Sequence, residues 1–113
     1  MKLWKRLKEK EFEEVFKKVK RYHGKYVTLY VSPNIKGKVG FVASKKIGDA
    51  HKRNRAKRLM REAFLRVEVD LSNELSYVLV AKPSITDKGV KMQDVLKDLE
   101  SIVYRFKKQG EMS

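Results

Sequence analysis

Residues 44–64 read Ser44-Lys45-Lys46-Ile47-Gly48-Asp49-Ala50-His51-Lys52-Arg53-Asn54-Arg55-Ala56-Lys57-Arg58-Leu59-Met60-Arg61-Glu62-Ala63-Phe64. Two patterns overlap in this stretch. Ala56, Leu59, Met60, Ala63 and Phe64 recur at three- and four-residue steps, the period of a helix that buries one face. Between Lys45 and Arg61 the same segment carries eight lysines and arginines against one acid, Asp49. Asp49 is suited to cap the helix. Lys52, Arg53 and Arg55 then crowd the first turn, where the helix dipole makes each cation cost on the order of 0.3–1 kcal/mol at low salt. Asn54, Lys57, Arg58 and Arg61 fall opposite the apolar face, and no acid stands four residues from Asn54, Lys57 or Arg61 to offset them. Lys45 and Lys46 extend the charge upstream. A solvated polar face is the plainest reading of a charge run, but it leaves this imbalance unexplained. A phosphate backbone turns the repulsion into attraction and releases counterions. Arginine's planar fork also grips phosphate at two points and stacks on bases. Asn54 suits a base edge or a phosphate as well as it suits an ordinary polar helix position.

Outward from the basic helix, the remaining elements follow from periodicity. Phe12, Val15, Phe16 and Val19 predict a first helix over roughly 9–21, with acids preceding bases in the order the dipole favours and Gly24 ending it. Residues 26–32 alternate as a strand, placing Tyr26, Thr28 and Tyr30 on one side and Val27, Leu29 and Val31 on the other. Pro33-Asn34-Ile35-Lys36-Gly37 supplies a turn. A second strand runs over 38–44, and the segment around Ile47 suggests a short third pairing before Gly48. The basic helix should end between Phe64 and Asp70. Leu75 to Ala81 predicts a central strand stopped by Lys82-Pro83. Met92, Val95, Leu96, Leu99, Ile102, Val103 and Phe106 define a final helix that should begin within 86–90. The order α-β-β-(short β)-α-β-α indicates one α+β domain, residues 1–113, with three helices on a small mixed sheet.

The whole chain supports an anionic partner. It has 113 residues, 28 basic against 14 acidic, for a net charge of +14. A Lys- and Glu-rich surface explains high charge but not a twofold excess of bases. Nucleic acid fits better, with a membrane surface as the weaker alternative. No cysteine is present, which fits a reducing compartment. The apolar runs are of strand length, and the basic arm Met1–Lys8 leads into charged sequence rather than an apolar signal core. The chain reads as cytoplasmic.

Aromatic residues supply the second feature. Phe12 and Phe16 lie one helical turn apart, where core packing is the default role. Tyr26 and Tyr30 share a strand face that can stack single-stranded bases if it opens into a groove beside the first helix. Trp4 suits stacking, a helix staple or a tail equally. Catalytic constellations are absent from the pattern. His23 and His51 have no metal-ligand spacing, and Asp94 with Asp98 is only one helical turn of carboxylates. No acidic cluster suggests a two-metal phosphodiester mechanism.

Val39-Gly40-Phe41-Val42-Ala43-Ser44-Lys45-Lys46-Ile47-Gly48 followed by His51–Phe64 closely resembles the bacterial ribonuclease P protein family. The Arg-Asn-Arg core, Arg53-Asn54-Arg55, stands in a basic helix after a Ser-Lys-Lys-x-Gly turn, as in that family. Phe12–Phe16, Leu29-Tyr30 and Tyr77–Ala81 extend the likeness over most of the chain. One departure is Lys8-Glu9-Lys10-Glu11, where the family often carries Asn or a similar cap.

The resemblance implies an αβββαβα fold with a left-handed crossover through the basic helix. It implies an accessory protein subunit of a ribonucleoprotein endoribonuclease, with a catalytic RNA hydrolysing the 5′ leader from precursor transfer RNA. Magnesium ions would be used by that RNA and none held by the protein. No membrane or small-molecule partner is implied. Lys45, Lys46, Lys52, Arg53, Asn54, Arg55, Lys57, Arg58 and Arg61 would contact RNA. Phe12, Phe16, Tyr26 and Tyr30 would line the leader cleft. A non-enzymatic RNA-binding protein, such as a ribosomal protein, is the alternative, and a nuclease acting without RNA is a weaker third.

Overall fold

The computed structural model describes residues 4–112. Its elements are β1 (Lys5–Arg6), α1 (Glu9–Val15), β2 (Lys20–His23), β3 (Val27–Ser32), β4 (Lys38–Val42), α2 (Ala50–Val67), β5 (Ser76–Ala81) and α3 (Met92–Met112). The strands form one sheet in the order β1-β4-β5-β3-β2. β4 runs parallel to both β1 and β5, while β3 pairs antiparallel with β5 and β2. The result is a mixed α+β sheet whose β4-α2-β5 segment is a crossover between adjacent parallel strands. Among the described residues no helix is long and apolar enough to cross a membrane.

The sheet carries two apolar clusters, one on each face. On the face covered by α2 and α3, Leu29, Phe64, Tyr77, Leu79, Leu99 and Ile102 are fully buried. On the other face α1 brings Val15 and Leu7 against Val78, with Phe12, Tyr30 and Val80 half-buried around them. Alternation along β3 and β5 sends successive side chains to opposite clusters. Trp4 is neither a tail nor a stacking platform. It is buried, edge-on to Phe64 and Tyr77 at 5.4 Å from each ring. The first three residues of the basic arm lie outside the described residues.

Several boundaries differ from the sequence-based expectation. The first helix ends at Val15 and tightens into a 3-10 turn over Phe16–Lys18. Residues 20–23, where the expected helix over roughly 9–21 reaches only Lys20 and Arg21, form β2, in register with β3 from Lys20↔Val31 to His23↔Thr28. Pairing decides this segment: only Tyr22 is buried, so its own periodicity says little. The third strand expected around Ile47 is instead a 3-10 turn, Lys45–Ile47, whose start is capped by the Ser44 side chain. The three strands between α1 and the basic helix are therefore β2, β3 and β4, and the two-residue β1 precedes α1. The final helix starts at Met92 rather than within 86–90, because Gly89 takes a positive φ of 86°.

The β2–β3 turn is held from the opposite layer. The Asp98 carboxylate on α3 accepts the backbone N–H groups of Lys25, Tyr26 and Val27 at 2.7, 2.8 and 3.2 Å. A Cβ on Gly24 would stand 2.5 Å from Asp98 Oδ2, so glycine at this position is what lets the carboxylate approach. Arg105 Nη2 donates to the His23 carbonyl at 2.7 Å. Asp98 thus anchors the hairpin, and Asp94 accepts the Lys91 N–H at the start of α3.

Candidate nucleic-acid interface

Helix α2 starts where the pattern places it. Asp49 Oδ1 accepts the Lys52 N–H at 3.0 Å, and this backbone bond holds its carboxyl below the usual carboxylate range. Ala56, Leu59, Met60, Ala63, Phe64 and Val67 are buried. That fixes the rotation of the helix and turns its charged residues outward. Lys52, Asn54, Arg58 and Arg61 are exposed, and Arg53, Arg55 and Lys57 are half-buried. Lys45 and Lys46 stand exposed in the turn before the helix. Among the described residues, none of the eight cations from Lys45 to Arg61 is paired with a carboxylate. The ridge is therefore an array of positive charge that the protein itself does not neutralise.

The ridge divides along its length. Arg55 Nη2 donates to the Val90 carbonyl at 2.8 Å and, with Lys52, borders a 210 Å³ pocket against Ile85 and Thr86. Arg55 thus ties α2 to the segment before α3 as well as presenting charge. On the other side, Lys57 and Arg61 border a 540 Å³ groove shared with Arg6, Phe12, Gly40 and Phe41. The Arg61 guanidinium lies 5.7 Å from the Phe41 ring centroid, a cation–π distance. Basic helix and aromatic group, far apart in sequence, meet in this groove.

The aromatic group begins at Phe12. Its ring packs so close to Gly40 that a Cβ there would stand 2.7 Å from Phe12 Cζ. Phe16 follows, 6.4 Å from Phe12 with rings 23° apart, and sits edge-on to Tyr30 at 5.0 Å. Phe16 is 40% exposed, so this row is open to solvent rather than sealed. Three of the four expected aromatics are thus together. Tyr26 is the exception: it precedes β3 and packs against the α2/α3 cluster, with Lys25 Nζ 5.3 Å from its ring. Strand alternation does not extend to a residue outside the strand.

α1 is positioned by Glu11. Its carboxylate accepts the Lys8 N–H at 2.8 Å, supplying the cap that Lys8 itself lacks, and pairs with the Lys38 ammonium on β4. The Lys38 bond first, then the Lys8 N–H, hold the Glu11 carboxyl below its ordinary 4.5. Arg6 and Phe41 border the groove without having been expected there. Phe41 was legible as the neighbour of Gly40 in a strand; Arg6 depends on the pairing of β1. His51 is exposed at the start of α2, and His23 Nδ1 lies 3.3 Å from Thr28 Oγ1. Among the described residues no three His, Cys, Asp or Glu side chains group as metal ligands.

Comparison with known proteins places this arrangement in context. The sequence pattern of the Ribonuclease P family matches residues 1–107. A ribonuclease P protein component from a Nitratiruptor species is 37% identical, over 89% of this chain and 90% of its own length. That of Clostridioides difficile is 32% identical, over 87% of each. Among solved structures, the RNase P protein from Thermotoga maritima superposes with a TM-score of 0.74 at 24% identity, covering 89% of this chain and 96% of its own. The Staphylococcus aureus RNase P protein gives 0.74 at 24% identity, covering 90% and 94%. Both share the fold of this chain.

Proposed function

The chain belongs to the bacterial ribonuclease P protein family, and from that premise we propose how its surfaces divide the work. It is the protein subunit of a ribonucleoprotein endoribonuclease that matures the 5′ ends of transfer RNA together with a catalytic RNA. The cationic ridge docks on that RNA: Lys45, Lys46, Lys52, Arg53, Asn54, Arg55, Lys57, Arg58 and Arg61 meet phosphates, with Asn54 free to reach a base edge. The open row of Phe12, Phe16 and Tyr30 takes the single-stranded leader of precursor transfer RNA. Stacking on such rings is worth about 1–3 kcal/mol per base and tolerates any sequence. Tyr26, packed on the α2/α3 side, takes no part in this row. Magnesium ions belong to the RNA partner, which carries the hydrolysis. The chain works as one RNA-binding domain over 1–113, in the cytoplasm.

The observation that carries this reading is the 540 Å³ groove in which Lys57 and Arg61 of the ridge meet Phe12 and Phe41. It lets one bound polyanion touch both charge and stacking surfaces. The test is reconstitution. Precursor transfer RNA should be cleaved at the leader junction when the protein and the catalytic RNA are mixed at low magnesium. The protein alone should leave it intact. Cleavage by protein alone would make it a nuclease in its own right. No stimulation of the RNA would make it an RNA-binding protein of another kind.

A further inference from the structure

We infer that the groove has a second exit over the free edge of β2, where Lys18 and Arg21 hold phosphates of single-stranded RNA that has crossed the aromatic row. This rests on the leader reading above and extends it to residues on the far side of the sheet.

Among the described residues β2 is hydrogen-bonded to β3 alone and forms one edge of the sheet. Lysines on an edge strand often serve only to block aggregation. Their direction separates the two roles here. Tyr22 enters the α2/α3 cluster, so its neighbours Arg21 and His23 point to the α1 face. Arg21 is the register partner of Tyr30, and directly opposed residues share a face. Phe16 rests edge-on against that same Tyr30, and Lys18 closes the 3-10 turn that Phe16 opens. Lys17 is paired with Glu14 at 3.0 Å. Lys18 and Arg21 have no carboxylate partner among the described residues.

The register turns these residues into a line. Gly40 pairs with Val78, Val78 with Tyr30, and Tyr30 with Arg21. Phe12 lies over the Gly40 end and Phe16 over the Tyr30 end. Cations stand at both termini: Lys57 and Arg61 beyond β4, Arg21 and Lys18 at β2. Three strand spacings give roughly 14 Å from β4 to β2. At an axial rise of about 3.4 Å per nucleotide, a stacked strand covers that distance in about four nucleotides. A leader shorter than this crossing cannot reach Arg21, and a longer one must pass it.

The test uses the protein assembled with its catalytic RNA and a series of precursor transfer RNAs with leaders of graded length. Lys18→Glu/Arg21→Glu should lower affinity for long leaders by roughly tenfold and flatten the salt dependence by about 0.7 for each phosphate released. Short leaders should bind as they do to the unaltered protein. Lys18→Gln/Arg21→Gln should show the same length dependence with a smaller loss. Lys97→Glu/Lys108→Glu, an equal charge change on exposed positions of α3, should show none. Equal loss for short and long leaders, or a loss no greater than the α3 variant's, overturns the second exit. Unaltered protein that gains nothing from a longer leader overturns the leader reading itself, and the exit with it.

Discussion

On one side of the sheet, α2 and α3 bury Phe64, Tyr77, Leu79 and Leu99 completely, and Trp4 fills the space beside them. On the other, α1 spans seven residues and leaves Phe16 40% exposed over Tyr30. Both faces carry aromatic rings, yet only one uses them to build a closed core. Burial of apolar area is what stabilises the first face. The second holds its rings with a short helix, one capping carboxylate and a close approach at Gly40, and keeps their outer surfaces free for a ligand. The ridge repeats the contrast at the level of charge. Arg55 is tied to the Val90 carbonyl, while Arg58 is exposed and has no carboxylate partner among the described residues. One fold thus separates groups that hold it together from groups proposed to meet RNA.

The contrast breaks most visibly at single rings. Phe64→Ala should cost about 4 kcal/mol of folding stability, since it empties a fully buried site. Phe16→Ala should cost less than about 1 kcal/mol and instead weaken binding of long-leader substrates. Denaturant melts of both variants decide it, and equal losses would mean that α1 is ordinary core. Next in size is the hairpin anchor. Asp98→Ala leaves three backbone N–H groups without their acceptor and should cost about 3 kcal/mol. Its RNA affinity well below the melting temperature should be unchanged, and Asp98→Asn should recover part of the loss.

The ridge gives a finer cut. Arg55→Ala should lose about 1 kcal/mol of stability along with its grip on RNA. Arg58→Ala should lose affinity alone, with a melting temperature like that of the unaltered protein. The pH effects have opposite signs on the two faces. Burial pushes the Tyr77 hydroxyl from 10.0 up to about 12. The unfolded chain therefore ionises first, and stability intact below pH 10 falls as pH rises from 10 through about 12. Glu11 is held below its ordinary 4.5. Its contribution is present above that value and is lost as pH falls through the lower folded value. Hydrogen exchange should show acid loosening α1 before the α2/α3 face opens.

The helix-covered face was the more legible of the two. Leu29, Phe64, Leu79 and Leu99 sit in periodic patterns strong enough to define β3, α2, β5 and α3 from sequence, and the Asp49 cap was equally plain. β2 was not, because Lys20-Arg21-Tyr22-His23 buries one side chain and becomes a strand only by pairing with β3. Asp98 read as an unremarkable carboxylate, since its partners lie more than 70 residues away. In the candidate site, the cations could be read from composition and helical phase. Which of them border the groove depended on how α2 rotates against β4, and Tyr26 was assigned to the aromatic row by an alternation that begins only at Val27.

The claim beneath all of this is that the free cations of α2 hold RNA by its phosphates. The direct measurement is the salt dependence of catalytic-RNA affinity for the unaltered protein and for Lys57→Ala/Arg58→Ala/Arg61→Ala, with folding verified by melting. The account predicts a slope shallower by roughly 0.9 for each phosphate no longer neutralised, about 2.7 for the three together. Parallel slopes with unchanged affinity would contradict it.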